Sequence, residues 1–519
     1  MKRRDFCKAL GLSAVGGLLL PAGSAAAAQP VGHAVPDGTY PLPFLSILSN
    51  LDITHDFYYS ESLFDHPATE YDHQLAFVTL GMVMAAFTAA VSIPQYWVNG
   101  SVGREANLAA AYELLGFGDA RFYNYDIDTG KAGDFVGYSL ARKRYIHNGK
   151  TRTLVALMLR GGGYGGEWAS NVHTGSTSAH YGFTTPVAAV FASLKAYLAQ
   201  IAQEGDPGEL KLWIGGYSRG AIIANLLAAK ALNALPQLEK ANCFVYTFAT
   251  PAALTAADQP DMQLDFDNNH KADGSLRVTW GESNIFNIIS SGDIVPHILP
   301  EEWGFHRNGN DRFLPSTRNE EELEDLNEMG RNDFGPTPLD FSWLATDKET
   351  NEVMLRMEEY FISRENYHEK YEAALMDMIQ CAFIRSEEEV TQNKVLDDGE
   401  VIQRLRTLTH LKNMDYWKIS RAVWAASTMS RAVLKRVDAE NIPIRAQQIV
   451  VPILAVGLCY GLESEAVSLI AKYILMFVSM RSAPDDAIRA AFCHHCENYI
   501  ALMEYYAPSE HCMEATTRT

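Results

Sequence analysis

Basic charge is what this sequence has least of. Its 43 lysines and arginines face 63 acids, a net charge of −20 over 519 residues, and this argues against nucleic acid or an anionic membrane surface as partner. Cysteine is also sparse. Beyond Cys7 it occurs only at 243, 381, 459, 493, 496 and 512, a scatter that excludes a dense disulfide framework. The C-x-x-C at Cys493 and Cys496 has no second copy. With His511 and Cys512 it could make a four-ligand zinc set, but the intervening "ENYIALMEYYAPSE" reads as an amphipathic helix. Buried thiols, or a disulfide from Cys512 to Cys493 or Cys496, fit better, so no metal or cofactor is expected. The apolar run Gln74 to Ile93 is long enough to cross a bilayer. It lacks basic flanks and is interrupted by Gln74, Thr79, Thr88 and Ser92, so a buried helix is expected instead of an anchor. No internal repeat is present.

The chain opens with a basic head, Lys2-Arg3-Arg4, then an apolar run Ala9 to Leu20 and small residues ending in Ala26-Ala27-Ala28. That is the layout of an export leader. Arg3-Arg4-Asp5-Phe6-Cys7-Lys8 resembles the twin-arginine signal, which carries folded proteins. The expected organisation is a signal peptide over 1–28, a linker over 29–50, an α/β core over 51–315 and a mainly helical cap region over 316–519. Within the core, apolar runs at Leu154–Leu159, Leu212–Ile214, Cys243–Phe248 and Ile285–Ile289 alternate with helical stretches. This pattern predicts an α/β fold with a sheet of mainly parallel strands. After about Glu320 almost no strand signal remains. The apolar stretch from Ile449 to Met480 is expected to line an acyl pocket or lie over the site as a lid.

The sharpest motif is Gly216-Tyr217-Ser218-Arg219-Gly220, a G-x-S-x-G between an apolar strand and an amphipathic helix. Such a turn pushes the serine out of the sheet edge and sets it at a helix N-terminus, where N–H groups can face a developing oxyanion. A serine nucleophile needs an acid and a base, in the order Ser, Asp, His for this type of sheet. Asp293 directly follows the strand in "NIFNIISSGDIVPHILP". The glycine-rich turn Arg160-Gly161-Gly162-Gly163 follows another strand and offers a backbone N–H to the same site.

Together these pieces resemble the class-3, or fungal-type, lipases. That family's oxyanion turn, tryptophan, H-x-G-F, elbow, T-F-x-x-P and D-x-V-P-x-x-P have counterparts here. They are Arg160-Gly161-Gly162 with Trp168, His180-Tyr181-Gly182-Phe183, the Ser218 elbow, Thr247-Phe248-Ala249-Thr250-Pro251 and Asp293-Ile294-Val295-Pro296-His297-Ile298-Leu299-Pro300. The resemblance implies an α/β-hydrolase fold, a Ser218 nucleophile, an Asp293 acid and an oxyanion hole from the N–H groups of Gly162 and Arg219. Gly162 stands where the family has serine or threonine, so any side-chain help to the oxyanion is lost.

The histidine is less determined. His297 and His306 follow Asp293 too closely, and His410 has no supporting context. His368, in His368-Glu369-Lys370-Tyr371, looks like the H-x-x-Y of the fungal enzymes. His494-His495-Cys496-Glu497-Asn498-Tyr499-Ile500-Ala501 is similar to an H-x-P-E-x-Y-x-A stretch of bacterial lipase-like proteins, which favours His494 and keeps His368 and His495 as alternatives. Successive residues at a helix start face about 100° apart, so only one of the paired histidines can enter the site. The resemblance implies an exported lipase or esterase acting on an ester or lipid, with no integral membrane anchor and transient lipid contact through the helical region. The competing expectation is a non-catalytic lipid- or partner-binding protein on a hydrolase scaffold.

Overall fold

The computed structural model describes residues 31–45, 52–86, 105–125, 135–162, 181–235, 237–252, 254–255, 283–290, 292–293, 295–297, 305–314, 394–408, 410–436, 444–462 and 493–506, with isolated positions between 324 and 389. Gly38–Leu45 of the expected linker forms a strand, whereas the leader and residues 29–30 and 46–50 of that linker lie outside the described residues. So do His368, His511, Cys512, Trp168 and His180.

An antiparallel pair, β1 (Gly38–Leu45) and β2 (Asp52–Tyr59), precedes helix α1 (His73–Ala85) and helix α2 (Glu105–Leu114). Asp72 starts α1 by accepting the Leu75 N–H at 2.7 Å, a side-chain N-cap. The helix is buried from Leu75 to Ala85, so the described part of the Gln74–Ile93 run is a core helix. Its polar interruption at Thr79 is satisfied: the hydroxyl donates to the Leu75 carbonyl and accepts the Trp213 indole N–H at 2.7 Å.

The main sheet contains β3 (Gly118–Tyr123), β4 (Tyr138–His147), β5 (Lys150–Leu159), β6 (Glu209–Tyr217), β7 (Cys243–Phe248), β9 (Ile285–Ser290) and β11 (Asn310–Leu314). A two-residue pairing joins β8 (Leu254–Thr255) to β10 (Phe305–His306) apart from it. The order across the seven strands is β11-β9-β7-β6-β5-β4-β3. From β11 to β5 every pairing is parallel, and β4 and β3 add antiparallel. The β4–β5 hairpin turns through Asn148 (φ 48°) and Gly149 (φ 73°), the left-handed pair that tight hairpins require.

Helices α3 (Tyr181–Glu204) and α4 (Arg219–Ala234) supply the core on one face of the sheet, against Val155, Leu157 and Leu159. The alternate residues Leu154, Ala156 and Met158 face a second core built with α1, α2 and the β1–β2 pair. A strand covered on both sides buries every residue, which is why β5 reads as an unbroken apolar run.

The helical region divides. Helices α5 (Asp398–Leu405), α6 (Tyr416–Arg436) and α7 (Ile444–Tyr460) share a core that contains no sheet residue. Val450, Ile453, Leu454 and Val456 are buried there, so the described part of the Ile449–Met480 stretch packs within a helical bundle. The rest of that stretch, 463–480, lies outside the described residues. Helix α8 (Cys496–Tyr505) behaves differently. Cys493 and Cys496 through Tyr506 join the core of α1 and the sheet, with His55 Nε2 at 2.6 Å from Glu504 Oε1 and His73 Nε2 at 3.0 Å from the Met503 carbonyl. The segment 493–506 is thus built into the sheet domain.

His495 is the N-cap residue of α8 and is buried. Burial, with the adjacent His494 ring adding to it, pushes its imidazole down from 6.5 to about 3. Between those values the unfolded chain takes up a proton that the folded chain refuses. Stability is therefore unaffected above the unfolded pKa and falls as pH drops towards the folded one. Relative to pH 7, the penalty at pH 4 is about 3 kcal/mol. Urea titrations at both pH values should show His495→Gln losing less stability in acid than the parent. Equal losses would mean that this ring does not couple to folding.

Candidate active site

Strand β6 ends at Tyr217 and helix α4 begins at Arg219, which leaves Ser218 alone at the turn. Its φ is 51°, a left-handed conformation that non-glycine residues rarely adopt. The turn is held by the Ser218 N–H donating to the Phe248 carbonyl at 2.9 Å, while the Ser218 carbonyl accepts Ala221 N–H at 2.9 Å and Ile222 N–H at 3.2 Å. Both glycines of the motif are sterically required. A Cβ on Gly216 would lie 2.5 Å from the Gly220 carbonyl oxygen, and one on Gly220 would lie 2.4 Å from that of Arg160. The second contact brings the end of β5 against the first turn of α4.

Asp293 is wholly buried in the turn after β9, where its N–H donates to the Ser290 carbonyl at 3.0 Å. One carboxylate oxygen accepts the Val295 N–H at 2.9 Å; the other accepts the Tyr499 hydroxyl at 2.7 Å. The His494 ring bridges from this carboxylate to the serine. Its Nδ1 lies 2.9 Å from Asp293 Oδ2 and 3.1 Å from Oδ1, and its Nε2 lies 2.8 Å from Ser218 Oγ. A hydroxyl, an imidazole and a buried carboxylate in that order can move a proton from Oγ to Nε2 while the carboxylate stabilises the resulting imidazolium.

The His494 backbone is fixed as firmly as its ring. Its carbonyl accepts the Tyr217 hydroxyl at 2.8 Å, and the Asn498 side chain donates to the neighbouring Cys493 carbonyl at 2.9 Å. His495 is buried, while the His494 side chain keeps 18% of its surface exposed. Cys493 and Cys496 are buried beside it; burial foremost, then the nearby Glu497, holds the Cys496 thiol well above its ordinary value. Tyr499 is likewise raised, by burial and then by the Asp293 charge, so it stays protonated and remains a donor.

Among the other histidines, His410 lies in the helical bundle with Nδ1 at 3.2 Å from Asp377 Oδ1, and the side chains of His297 and His306 lie outside the described residues. The Arg219 side chain is buried and donates to the carbonyls of Phe135 at 2.8 Å and Gly182 at 3.0 Å. Nothing local in the sequence marks Tyr499 or Tyr217: one lies in the C-terminal stretch beside His494 and the other inside the elbow, but their partners are distant in the chain.

Residues 162–303 match the sequence model of the family Lipase (class 3). No curated protein matches the chain. Similar solved structures include the Rhizomucor miehei lipase propeptide complex, at 19% identity over 37% of this chain and 55% of that one, with a TM-score of 0.26. A triacylglycerol lipase whose catalytic centre is formed by a serine protease triad aligns at 18% identity over 46% and 79%, TM-score 0.29. The lipase of Rhizopus microsporus var. chinensis aligns at 14% over 58% and 85%, TM-score 0.28. The chain spans about half the length of the first of these. The segment that carries the elbow and Asp293 is therefore similar in sequence to the class-3 lipases.

Proposed function

We propose that the protein is an exported carboxylic-ester hydrolase of the lipase or esterase type, working through Ser218, His494 and Asp293. Ser218 Oγ attacks the ester carbonyl and gives its proton to His494 Nε2. The N–H groups of Gly162 and Arg219 donate to the oxyanion of the tetrahedral intermediate. Its collapse expels the alcohol, which takes the proton from His494, and leaves an acyl-Ser218 ester. Water, deprotonated by His494, then releases the carboxylic acid. Asp293 stays ionised and orients the imidazole. No metal or cofactor enters these steps. The observation that carries the reading is the His494 ring between Ser218 Oγ and the buried Asp293 carboxylate.

A fluorophosphonate probe followed by peptide mass spectrometry separates this reading from a non-catalytic scaffold. The probe should label Ser218 in the parent and fail to label Ser218→Ala or His494→Ala. Both variants should lose at least about 10⁴-fold in turnover of p-nitrophenyl esters while remaining folded. Retention of a few per cent of activity in either would move the nucleophile or the base elsewhere.

Tyr499→Phe removes a donor to a buried carboxylate and leaves the Ser290 N–H, now bonded to the hydroxyl at 3.1 Å, without that acceptor. Stability in urea should fall by about 2 kcal/mol, with turnover reduced but not abolished. Unchanged stability would show that this contact contributes little.

Export is proposed from Arg3-Arg4. A Lys-Lys replacement should leave folded protein in the cytoplasm, and unimpaired export would favour the general secretory route.

A further inference from the structure

We propose that the outer face of α6 is a docking surface for an anionic lipid–water interface. Trp417 and Trp424 are 67% and 71% exposed. Among the described large apolar side chains only Ile146 is more so. Seven residues apart on a helix, they stand on one face two turns apart, and Arg421, also exposed, lies between them. Tyr416 extends the patch, with the Arg406 guanidinium 5.6 Å from its ring centre. The opposite face of α6, carrying Ile419, Val423 and Ala426, is buried in the helical bundle. The tryptophans are therefore surplus to the core.

The charge of α6 runs against that of the chain. Between 416 and 436 it carries Lys418, Arg421, Arg431, Lys435 and Arg436 and no acid, within a protein of net charge −20. The acid at its start, Asp415, accepts the Trp417 N–H at 2.8 Å. On the adjoining helix Asp398 accepts the Ser427 hydroxyl at 3.2 Å. Indole rings partition to the headgroup level of a bilayer, and neighbouring cations attract lipid phosphates. Composition as a whole argues against an anionic surface, but attraction screened within a Debye length is decided by the local face. A second copy of the chain is a poorer occupant, because a two-fold contact would set Lys418 and Arg421 against the same cations of its mate.

The inference does not depend on the hydrolase reading, because binding is measured without turnover. The full chain is floated with vesicles of phosphatidylcholine alone and of an equimolar mixture with phosphatidylglycerol. The parent should bind the mixed vesicles more strongly, and less so as salt is raised. The double variant Trp417→Ala/Trp424→Ala should lose at least roughly tenfold in vesicle partitioning. Arg421→Glu should remove most of the preference for anionic vesicles. Turnover of a water-soluble short-chain ester should be the same in all of them. Equal flotation of the parent and the double variant, or none by the parent, overturns the proposal. So does light scattering that finds a parent dimer dispersed by the double substitution, since the face would then be a self-association surface.

Discussion

The buried carboxylate of Asp293 is the constraint on which the site depends. An ionised group without solvent is costly unless its oxygens are fully bonded. Here the donors come from two distant parts of the chain: the Val295 N–H from its own turn, and His494 and Tyr499 from the C-terminal segment. If α8 were displaced, Asp293 would lose two of these partners. Docking of α8 and completion of the site are therefore one event. Apolar burial supplies the affinity, through Ile500, Leu502 and Met503 in the same core as α1. The hydrogen bonds set the position, since the Tyr217 hydroxyl holds the His494 carbonyl from the elbow itself.

A second constraint acts on the serine. The left-handed backbone at Ser218 persists because its surroundings determine it: Gly216 and Gly220 allow the close approach, and β7 holds the Ser218 N–H through the Phe248 carbonyl. Strand β9 is fixed in turn by a buried polar cluster. Asn287 accepts from Asn225 at 2.9 Å and from Thr247 at 2.7 Å, and donates to the Asn308 carbonyl at 2.8 Å. Serine and aspartate thus sit at the ends of strands whose relative positions cannot drift independently.

The parts legible in the sequence are those with local causes. Leu154–Leu159 reads as a doubly covered strand because every side chain in it is apolar. The elbow reads as an elbow because a single tight turn demands glycine at both flanks. Asp293 is marked by its place directly after an apolar strand. What was not legible depends on contacts between distant segments. Two adjacent histidines are locally equivalent, so only the likeness to bacterial lipase-like proteins favours His494; it is the packing of α8 that buries His495 and leaves His494 at Ser218. The apolar stretch beginning at Ile449 announces burial but not against what. A lid and a helical bundle require the same composition, and Val450 to Val456 pack in the bundle. Tyr499 gave no sign of its role because its hydroxyl meets Asp293 across 206 residues of chain.

The central claim is that Asp293 organises the relay, and Asp293→Asn tests it most directly. The amide keeps the size of the carboxylate but removes the charge that stabilises the imidazolium and selects the tautomer. Steady-state kcat/KM for a soluble ester, measured beside a circular dichroism melt, should fall by about 10⁴-fold near neutral pH in a protein that still folds. A folded Asp293→Asn enzyme within a few-fold of the parent would contradict the account.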